Sequence, residues 1–423
     1  MLDINFIREN PELIADGARK KRISFDVKAL LKTDDKRRAL LRDVESKRSI
    51  QNAYSEKISQ ANSIDKAAFI KEMQELKGTL SSLEAELKEV TKEWQTLMLS
   101  VPNIPDISVP EGESDANNKE VRAWGEIKKF SFKPKDHIAL MEALDIVDIK
   151  KGAEISGFRG YVLKGDGALL NFALWHFVMD TLLPKGFQFM MVPSLLRRET
   201  LFGTGYLPQG EEDLYKTQDG DYLAGTGEVA AMGYFMDKVF EKKDLPAKVL
   251  AFSPCFRREA GSYGKDVRGI FRVHEFFKLE QVVLGVAEHD VSVSLHEELT
   301  ANSEEIMVKL NIPYRVVINC GGDLGLGQVK KYDIEAWEPS KGAYKETHSS
   351  SYFHDFQTRR LNIRYKDNDG KIKFAHSLNN TAIATPRTLI SIIENYQEKD
   401  GSITIPEILR SYMGSRNRIT KSQ

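Results

Sequence analysis

One stretch in the middle of the chain carries arginines and carboxylates on both sides of a glycine-rich turn: "FRREAGSYGKDVRGIFRVHEFFKLEQ". Arg257 and Glu259 precede the turn. The even positions after it, which include Arg272, Phe276 and Glu280, would share one face of a strand. Arginine forks bind phosphate, an aromatic plane can lie against a base, and a carboxylate can pair with an ammonium group. The stretch therefore indicates either a nucleotide site or a structural ladder of charged pairs across a sheet.

Polar side chains recur in three other stretches. "AGTGEVAA" places Thr226 and Glu228 two residues apart, which predicts that both lie on the same side of an extended segment. "AYKETHSSS" carries Glu346 and Ser349, whose hard oxygen atoms suit Mg²⁺. "SLNNTAIATPRTLISIIENYQ" places three polar residues in front of an apolar helix: Asn379, Thr381 and Arg387.

The familiar nucleotide and metal motifs do not match. "GSYGKD" resembles the end of a Walker A loop, but Glu259 replaces its first glycine and Asp266 its Ser or Thr. "GGDLGLGQ" lacks the G-x-G-x-x-G spacing, and "HEFFK" and "HEELT" lack the second histidine of a zinc-protease helix. Cys255 and Cys320 fit no zinc spacing, so we expect no zinc. A bound nucleotide would be held by side chains.

Composition limits the class of protein. The 423 residues are 41% apolar and 29% charged, and the formal net charge of -1 means that any contact with nucleic acid must be local. The first residues, "MLDINFIRENPELI", carry acids and lack an apolar signal core, and no run reaches the length of a membrane span. We expect a cytoplasmic protein without a membrane segment.

The elements that must position these residues are short strands and helices joined by irregular loops. Because strands and helices do not alternate regularly, the pattern predicts an α+β core with an antiparallel sheet rather than a doubly wound one. Strands are predicted at 187–192, 247–253, 270–285, 314–319 and 332–338, and helices at about 134–145, 167–184 and 285–310.

The first hundred residues predict an antiparallel two-helix coiled-coil arm. Helices are expected at about 26–61 and 66–100, joined by a turn at "NSID" (62–65). The second helix has a heptad seam, made by Phe69, Met73, Leu76, Leu80, Leu83, Leu87, Val90, Trp94 and Leu97. The first has a looser apolar stripe, made by Val27, Leu30, Leu40, Leu41, Val44, Tyr54, Ile58 and Ala61.

The charge of this arm is uneven. Residues 19–48 hold twelve Lys or Arg and five Asp or Glu, whereas 66–99 hold five and six. The first helix could be a solvated coiled-coil face or a surface that follows phosphates, and composition does not decide between them. We expect an N-terminal domain at 1–102 and a second domain at 103–423 that includes a linker at 103–120.

The stretches together resemble the motifs of class II aminoacyl-tRNA synthetases, and most closely the seryl-tRNA synthetase family. The opening stretch is similar to motif 2 of that family, FRxEAGSxGxDxRGxxRxHxFxKxE. Four further stretches resemble it: "MLDINFIRENPELI", "GTGYLPQGEEDLY", "YDIEAWEPSKGAYKE" and "RTLISIIENYQ". The resemblance implies an antiparallel sheet of six to eight strands flanked by helices, and ATP-dependent ligation of serine to serine tRNA through a seryl-adenylate.

The resemblance also implies a role for each matched residue. Arg257, Arg272 and Arg387 would be catalytic and would bind ATP: Arg257 at the α-phosphate and the serine carboxylate, Arg272 at the γ-phosphate, and Arg387 on the other side of the nucleotide. Glu259 and Phe276 would contact adenine. Mg²⁺ would be bound, with ATP, by Glu346 and Ser349. Serine would be bound by Thr226, Glu228, Arg257, Glu280, Asn379 and Thr381.

Further partners follow from the same resemblance. Pro193 would lie at a homodimer interface, and the basic arm would grip the long variable arm of serine tRNA. The tRNA for selenocysteine is a further candidate partner. The chain departs from the family pattern at a few positions, which bear on the shape of the serine pocket: Tyr206, Gly227, Arg258, Asn380 and Pro386.

Two alternatives stay open from the sequence. A related enzyme could activate a small amino acid for a carrier protein, but the tRNA arm would then have no use. A catalytically inactive tRNA-binding relative would be expected to have lost at least one of four residues that are all present: Arg257, Arg272, Glu346 and Arg387.

Overall fold

Helices and strands follow one another along the chain in the computed structural model, which describes residues 1–60, 63–261 and 268–421. The helices are α1 (Ile4–Glu9), α2 (Pro11–Lys20), α3 (Val27–Gln60), α4 (Ser63–Leu99), α5 (His137–Ala143), α6 (Ile149–Ser156), α7 (Gly165–Leu182), α8 (Arg198–Thr204), α9 (Gly227–Tyr234), α10 (His289–Lys309), α11 (Phe356–Arg360) and α12 (Arg387–Asn395).

The strands are β1 (Lys119–Trp124), β2 (Val147–Asp148), β3 (Val162–Leu163), β4 (Gln188–Met191), β5 (Leu195–Leu196), β6 (Tyr222–Leu223), β7 (Val239–Glu241), β8 (Ala247–Phe256), β9 (Glu275–Gly285), β10 (Tyr314–Ile318), β11 (Lys330–Glu338), β12 (Ala343–His354), β13 (Arg364–Lys366), β14 (Ile372–Phe374), β15 (His376–Thr385), β16 (Ile403–Thr404) and β17 (Arg418–Ile419).

Two units can be distinguished by their internal contacts. One comprises Met1–Arg19 and Ile23–Pro102, and the other comprises Lys20–Arg22 and Asn103–Gln423. The short segment Lys20–Arg22 therefore belongs with the second unit although its sequence neighbours belong with the first. Within the described part of the chain, none of the helices combines the length and the apolar composition that crossing a bilayer demands.

In the first unit, α3 and α4 form the predicted antiparallel arm. Contacts between the helices run in opposite directions along the two sequences: Arg37 lies over the Trp94 ring at 4.3 Å, Arg48 pairs with Glu84 at 2.7 Å, and the rings of Tyr54 and Phe69 lie 6.0 Å apart. The α4 seam is at least partly buried at every predicted position.

The arm differs from its prediction in details. The side chain of Leu41 is 39% exposed, so it does not belong to the apolar stripe of α3. Helix α4 begins at Ser63, three residues before the predicted start. The predicted "NSID" turn lies partly on Asn62, and the predicted stripe ends at Ala61; both residues lie outside the described part of the chain.

The second unit is built on an eight-stranded sheet with the order β1-β10-β11-β12-β15-β9-β8-β4. Its neighbouring strands are antiparallel except for the edge pair of β4 and β8, which is parallel. Both faces of the central strands are covered, because successive β9 residues Val282 and Val283 belong to different buried clusters. The predicted α+β class with a sheet of six to eight strands is confirmed.

Some predicted strand boundaries are wrong. Strand β9 begins at Glu275, where it pairs with Phe256, so Arg272 and His274 precede the strand rather than lying on its face with Phe276 and Glu280. The chain turns before this point, at Gly269 with a φ of 84°.

The polar strands β12 and β15 were not among the predicted strands. All ten positions of β15 are buried, including Asn379, Asn380 and Thr381, so its polar residues do not alternate with apolar ones in the way an exposed strand requires. The glycine-rich turn of the motif 2 stretch, "AGSYGKDVRG", lies largely on residues 262–267, outside the described part of the chain.

Candidate active site

A cavity of about 440 Å³ opens among the strands of the main sheet. Its lining includes every side chain that the sequence motifs predict for nucleotide, metal or amino-acid binding: Thr226, Glu228, Arg257, Glu259, Arg272, Phe276, Glu280, Glu346, Ser349, Asn379, Thr381 and Arg387. These residues come from positions spread over more than 150 residues of sequence, and the sheet brings them together. Pro193 is different, because it is exposed after the edge strand β4.

Two buried carboxylates lie at one end of this set. Glu228 is 4% exposed, and its Oε2 accepts a hydrogen bond from the Tyr206 hydroxyl at 3.1 Å while its Oε1 accepts one from Gln357 Nε2 at 2.6 Å. Burial raises the pKa of Glu228, against the opposing effect of the Gln357 amide. Glu280 is 3% exposed and pairs with Lys278 at 2.5 Å. Such carboxylates are suited to binding a cationic group that enters the cavity.

Thr226 and Glu228 are held by a helix rather than by an extended segment, so that prediction is wrong. Thr226 is the N-cap of α9, and its Oγ1 accepts a hydrogen bond from the Glu228 N–H at 3.4 Å. A threonine at the N-cap satisfies a backbone donor of the first turn, and this favours a helix start at Gly227. Both side chains still reach the cavity.

Three arginines reach the cavity from different elements. Arg257 follows β8, its guanidinium lies 5.3 Å from the centroid of the Phe276 ring, and its Nε donates to the Gly225 carbonyl at 3.3 Å. Arg272 pairs with Glu259 at 3.2 Å. Guanidinium groups gathered in this way can bind the phosphate groups of a nucleotide.

Glu259 has two arginine neighbours and an unusual backbone conformation. Besides Arg272, Arg159 lies 3.6 Å from its carboxylate. Its backbone φ is 55°, in the left-handed region that residues other than Gly, Asn and Asp rarely adopt. Conformations of this kind concentrate at functional sites.

Arg387, the first residue of α12, pairs with Glu346 at 3.3 Å and lies 4.6 Å from the centroid of the Phe271 ring. Desolvation acts to raise the pKa of Glu346, but the charges of Arg387, Lys331 and Arg257 outweigh it and hold the pKa below its ordinary value. Glu346 is therefore a carboxylate anion at neutral pH, as a metal ligand must be.

A β-bulge explains how Glu346 and Ser349 can act together. Residues three apart in a regular strand face opposite sides of the sheet. In β12 the ladder pairs Ile334 with His348 and Glu335 with Glu346, which leaves Thr347 as the extra residue. The bulge returns Glu346 and Ser349 to the same face, and both line the cavity.

The oxygen donors at this face fit Mg²⁺. Mg²⁺ in nucleotide sites usually takes one or two protein oxygens and completes its shell with phosphates and water, and Glu346 and Ser349 offer such a pair. Behind them Asp333 has its pKa raised to about 6, mainly by burial. Among the described residues, no group of three or more His, Cys, Asp or Glu is arranged to hold a metal ion.

The positions at which the chain departs from the family pattern have different effects. Asn380 points away from the cavity, because its Nδ2 donates to the Leu299 carbonyl at 2.6 Å and to Ser303 Oγ at 2.9 Å. A Cβ on Gly227 would lie 3.4 Å from the Ala251 carbonyl, which is ordinary contact. Tyr206 and Pro386 do line the cavity. Of these positions, Tyr206 and Pro386 are therefore the ones at which the departure from the family pattern changes the lining of the pocket.

Two of the cavity residues that had no assignment from the sequence contact the buried carboxylates. Lys278 is one of the even positions of the motif 2 stretch, and it forms the buried pair with Glu280. Gln357 carries no motif signal, since it reaches Glu228 from a position 129 residues further along the chain. A lysine two residues before a glutamate on a predicted strand could have indicated the first, because the two side chains share one face, but nothing local indicates the second.

Comparisons with known proteins agree with the geometry. Residues 1–105 match the seryl-tRNA synthetase N-terminal domain, and residues 215–396 match the tRNA synthetase class II core domain (G, H, P, S and T). The chain is 42% identical to a serine–tRNA ligase of Deinococcus radiodurans over 417 residues, with 98% of each chain covered. It is 43% identical to that of Thermodesulfovibrio yellowstonii over 423 residues, with 98% of this chain and 99% of the relative covered.

Solved structures show the same similarity. The seryl-tRNA synthetase of Pyrococcus horikoshii complexed with ATP superposes with a TM-score of 0.90 at 36% identity, and all of both chains is covered. The cytoplasmic serine–tRNA ligase of Naegleria fowleri in complex with AMP gives 0.87 at 33% identity, with 100% and 99% covered. The similarity covers nearly the full length of these relatives, and the cavity arginines and carboxylates expected from the motifs are present. The chain therefore belongs to the seryl-tRNA synthetase family.

Proposed function

We propose that this protein ligates serine to serine tRNA in two steps, with ATP as the energy source and seryl-adenylate as the intermediate. One observation carries the proposal: three arginines and two buried carboxylates line the same cavity, so groups for phosphate and groups for an ammonium ion lie together. Residues 1–102 are assigned to tRNA binding and residues 103–423 to catalysis.

In the first step, a carboxylate oxygen of serine attacks the α-phosphorus of ATP. The bond between the α-phosphorus and the bridging oxygen breaks, and pyrophosphate leaves with the electron pair. Because the nucleophile is already an anion, the step needs positioning and charge neutralisation rather than a protein base. Arg257 is assigned to the α-phosphate and the serine carboxylate, Arg272 to the γ-phosphate, and Arg387 to the opposite side of the nucleotide.

The adenine is assigned to the region around Arg257 and Phe276. The Phe276 ring offers a flat apolar surface for the base, and Glu259 offers an acceptor for its amino group. When the nucleotide binds, Arg272 exchanges its contact with Glu259 for one with phosphate. Mg²⁺, held by Glu346, Ser349 and the nucleotide, would supply further neutralisation of the phosphate charge.

Serine is assigned to the buried carboxylate end of the cavity. Glu228 pairs with the ammonium group, and Glu280 and Thr381 bind the side-chain hydroxyl, with Thr226 and Asn379 completing the pocket. Alanine or glycine would leave these buried polar groups without partners, which a site of this kind penalises strongly. Threonine would be resisted by the size of the pocket.

In the second step, a ribose hydroxyl at the end of tRNA attacks the carbonyl carbon of the adenylate. The ester bond forms as the bond between the carbonyl carbon and the phosphate oxygen breaks, AMP leaves with that electron pair, and the hydroxyl proton passes to solvent water. The basic helix α3 is assigned to the tRNA backbone, because phosphate contacts by Lys and Arg supply most of the affinity for nucleic acid. The tRNA for selenocysteine is a candidate second acceptor, which the charging assay below tests.

A homodimer is proposed for the second unit. Large apolar side chains are exposed on both sides of Pro193, where Met191 is 76% and Leu195 54% exposed, and at Phe158 and Phe172, which are 58% and 56% exposed. Contiguous exposed apolar surface is typical of a region that another protein covers, and these side chains are the candidates for such a region. Sedimentation should give a dimer mass for the wild type and a monomer mass for Met191→Glu. The control is Ile107→Glu, which changes an exposed apolar residue far from Pro193 in the sequence and should stay dimeric.

The decisive experiment is amino-acid-dependent exchange between ATP and pyrophosphate across the twenty amino acids, followed by charging of serine and selenocysteine tRNAs. Serine should support exchange and the other amino acids should not. A protein that exchanges with a different amino acid, or with none, contradicts the proposal. Exchange with serine but no charging of either tRNA would favour transfer to another acceptor.

Arg387→Ala should reduce serine-dependent exchange by roughly a hundredfold to a thousandfold, since it removes a charged group that acts on the transition state. The matched control is Arg418→Ala. Arg418 is an exposed arginine that lies 3.8 Å from Asp400 at the surface, so the control also removes an arginine beside a carboxylate. Equal losses in the two variants would contradict a specific role for Arg387.

A further inference from the structure

Lys21 is a buried lysine with an unusual set of partners. Its side chain is 2% exposed, and lysine is almost never buried to this degree unless it is paired. Its Nζ donates to three backbone carbonyls, those of Gly325 at 3.0 Å, Leu326 at 2.8 Å and Gln328 at 2.5 Å. Three acceptors satisfy the three hydrogens of an ammonium group, so every hydrogen-bond donor of Lys21 Nζ is used by the segment 325–328.

Residues 325–328, the cavity loop, form part of the lining of the candidate active site. Asn103 completes their attachment: its N–H donates to the Leu326 carbonyl at 2.9 Å, and its Nδ2 donates to the Gly327 carbonyl at 3.0 Å. Every carbonyl of the loop therefore accepts a hydrogen bond from Lys21 or Asn103. Lys21 lies in the short segment Lys20–Arg22, and Asn103 is the residue at which the chain enters the second unit again after Pro102.

The cavity loop continues toward the amino-acid end of the site. Gln328 Nε2 donates to Ser351 Oγ at 2.8 Å, and Ser351 is paired with Asn379 across β12 and β15. All three residues line the cavity. A change in the position of the loop would therefore reach the serine pocket through Ser351 and Asn379, whereas Arg272 and Phe276 are held by other elements.

We infer that Lys21 is a positioning residue, which holds the cavity loop so that Gln328 and Ser351 shape the serine side of the active site. The inference rests on the proposed function for the identity of the amino acid. Lys21 lies in the part of the sequence that matches the N-terminal domain of the family, and it nevertheless acts on the catalytic cavity.

The test is steady-state exchange kinetics with the full-length protein carrying Lys21→Met, which keeps much of the side-chain length and removes the three donors. The KM for serine should rise about tenfold or more, which corresponds to the loss of one or more hydrogen bonds, while the KM for ATP stays within about twofold. The matched control is Lys20→Met. Lys20 Nζ lies 3.4 Å from the Asp106 carbonyl and does not hold the loop, so both KM values should be unchanged.

Two further variants separate positioning from a general structural role. Gln328→Met interrupts the connection to Ser351 and leaves Lys21 in place, and it should also raise the KM for serine selectively. Because both changes act on one chain of contacts, the double variant should be less impaired than the product of the two single effects. Lys21→Arg, which keeps the donors, should recover part of the lost serine affinity.

Each outcome decides one proposal. Wild-type protein without serine-dependent exchange refutes the proposed function. If the wild type exchanges with serine, three results refute the role of Lys21 and leave the proposed function standing. These are equal changes in both KM values of Lys21→Met, no change in either KM value, and multiplicative effects in the double variant. If Lys21→Met does not fold, the KM values for serine and ATP are compared in Lys21→Arg and Gln328→Met instead. An unchanged KM for serine in Gln328→Met then overturns the inference.

Discussion

At the scale of single residues, the site is organised by pairs between cavity side chains. Arg272 pairs with Glu259, Arg387 with Glu346, and Lys278 with Glu280. Each pair satisfies a charge that would otherwise be desolvated alone, at considerable cost. In the proposed function, substrate binding exchanges these contacts, and the affinity depends on the balance between protein pairs and substrate pairs.

Tyr206→Phe removes one of the two hydrogen bonds that orient Glu228. A hydrogen bond to a charged group contributes about 1.5 kcal/mol or more, so the KM for serine in the exchange reaction should rise roughly tenfold while the KM for ATP changes little. The matched control is Tyr222→Phe, because that buried hydroxyl also donates to a glutamate, Glu211, at 2.6 Å. A similar rise in both variants would show that Tyr206 has no specific part in serine binding.

The residue types of the site could be predicted from the sequence, whereas their pairing could not. Motif 2 alone indicated the chemistry of Arg257, Glu259 and Phe276. That Glu259 lies between Arg159 and Arg272 depends on a loop that begins 100 residues earlier in the chain. Tertiary packing sets this geometry, and no local spacing encodes it.

At the scale of elements, irregularities place the functional side chains. The bulge at Thr347 brings Glu346 and Ser349 to one face of β12, and the N-cap at Thr226 starts α9 at the cavity. The two long arm helices are regular by comparison, and they are stabilised by the apolar seam between them.

Leu80→Ala should destabilise the arm by about 2–5 kcal/mol, because this leucine is 6% exposed in the seam and its truncation leaves a cavity. The same change at Leu41, which is 39% exposed, should cost much less. Hydrogen exchange of the α3 and α4 amides measures the difference. Serine-dependent exchange should be unaffected by either variant, and equal protection in the two would show that the seam does not stabilise the arm.

At the scale of the whole molecule, charge and buried histidines determine how the protein responds to its solvent. Burial lowers the pKa of His296 to about 3 and those of His354 and His376 to about 4. The rings of His354 and His376 lie 4.8 Å apart, so protonating one also opposes protonating the other.

The free energy of unfolding should decrease as the pH falls from about 6.5 toward 4, where the unfolded chain binds protons that the folded protein does not. Each unit of pKa depression corresponds to about 1.4 kcal/mol. Urea unfolding at a series of pH values measures the slope. His376→Gln should reduce the slope of the unfolding free energy against pH, whereas His176→Gln, at an exposed position, should not. Identical slopes in the wild type and both variants would rule out the buried histidines as the cause.

The double variant Arg38→Glu/Arg42→Glu should weaken serine tRNA binding and reduce the salt dependence of its affinity, because both arginines are exposed on the basic helix α3. Lys71→Glu/Lys77→Glu is the control, with the same change of charge at exposed positions of α4. Exchange without tRNA should be normal in both. Equal losses of tRNA charging would indicate a general electrostatic effect rather than a binding surface on α3.

The sequence by itself determined the arm, the family and twelve of the residues that line the cavity. Helix and heptad periods arise from contacts three and four residues apart, so they can be seen locally, and the motifs preserve the residue types that the chemistry needs. Only the tertiary structure decided which groups meet. Gln357 reaches Glu228 across 129 residues, and Lys21 reaches Gly325 across 304. Such contacts depend on how the whole sheet packs, and no local pattern in the chain records them.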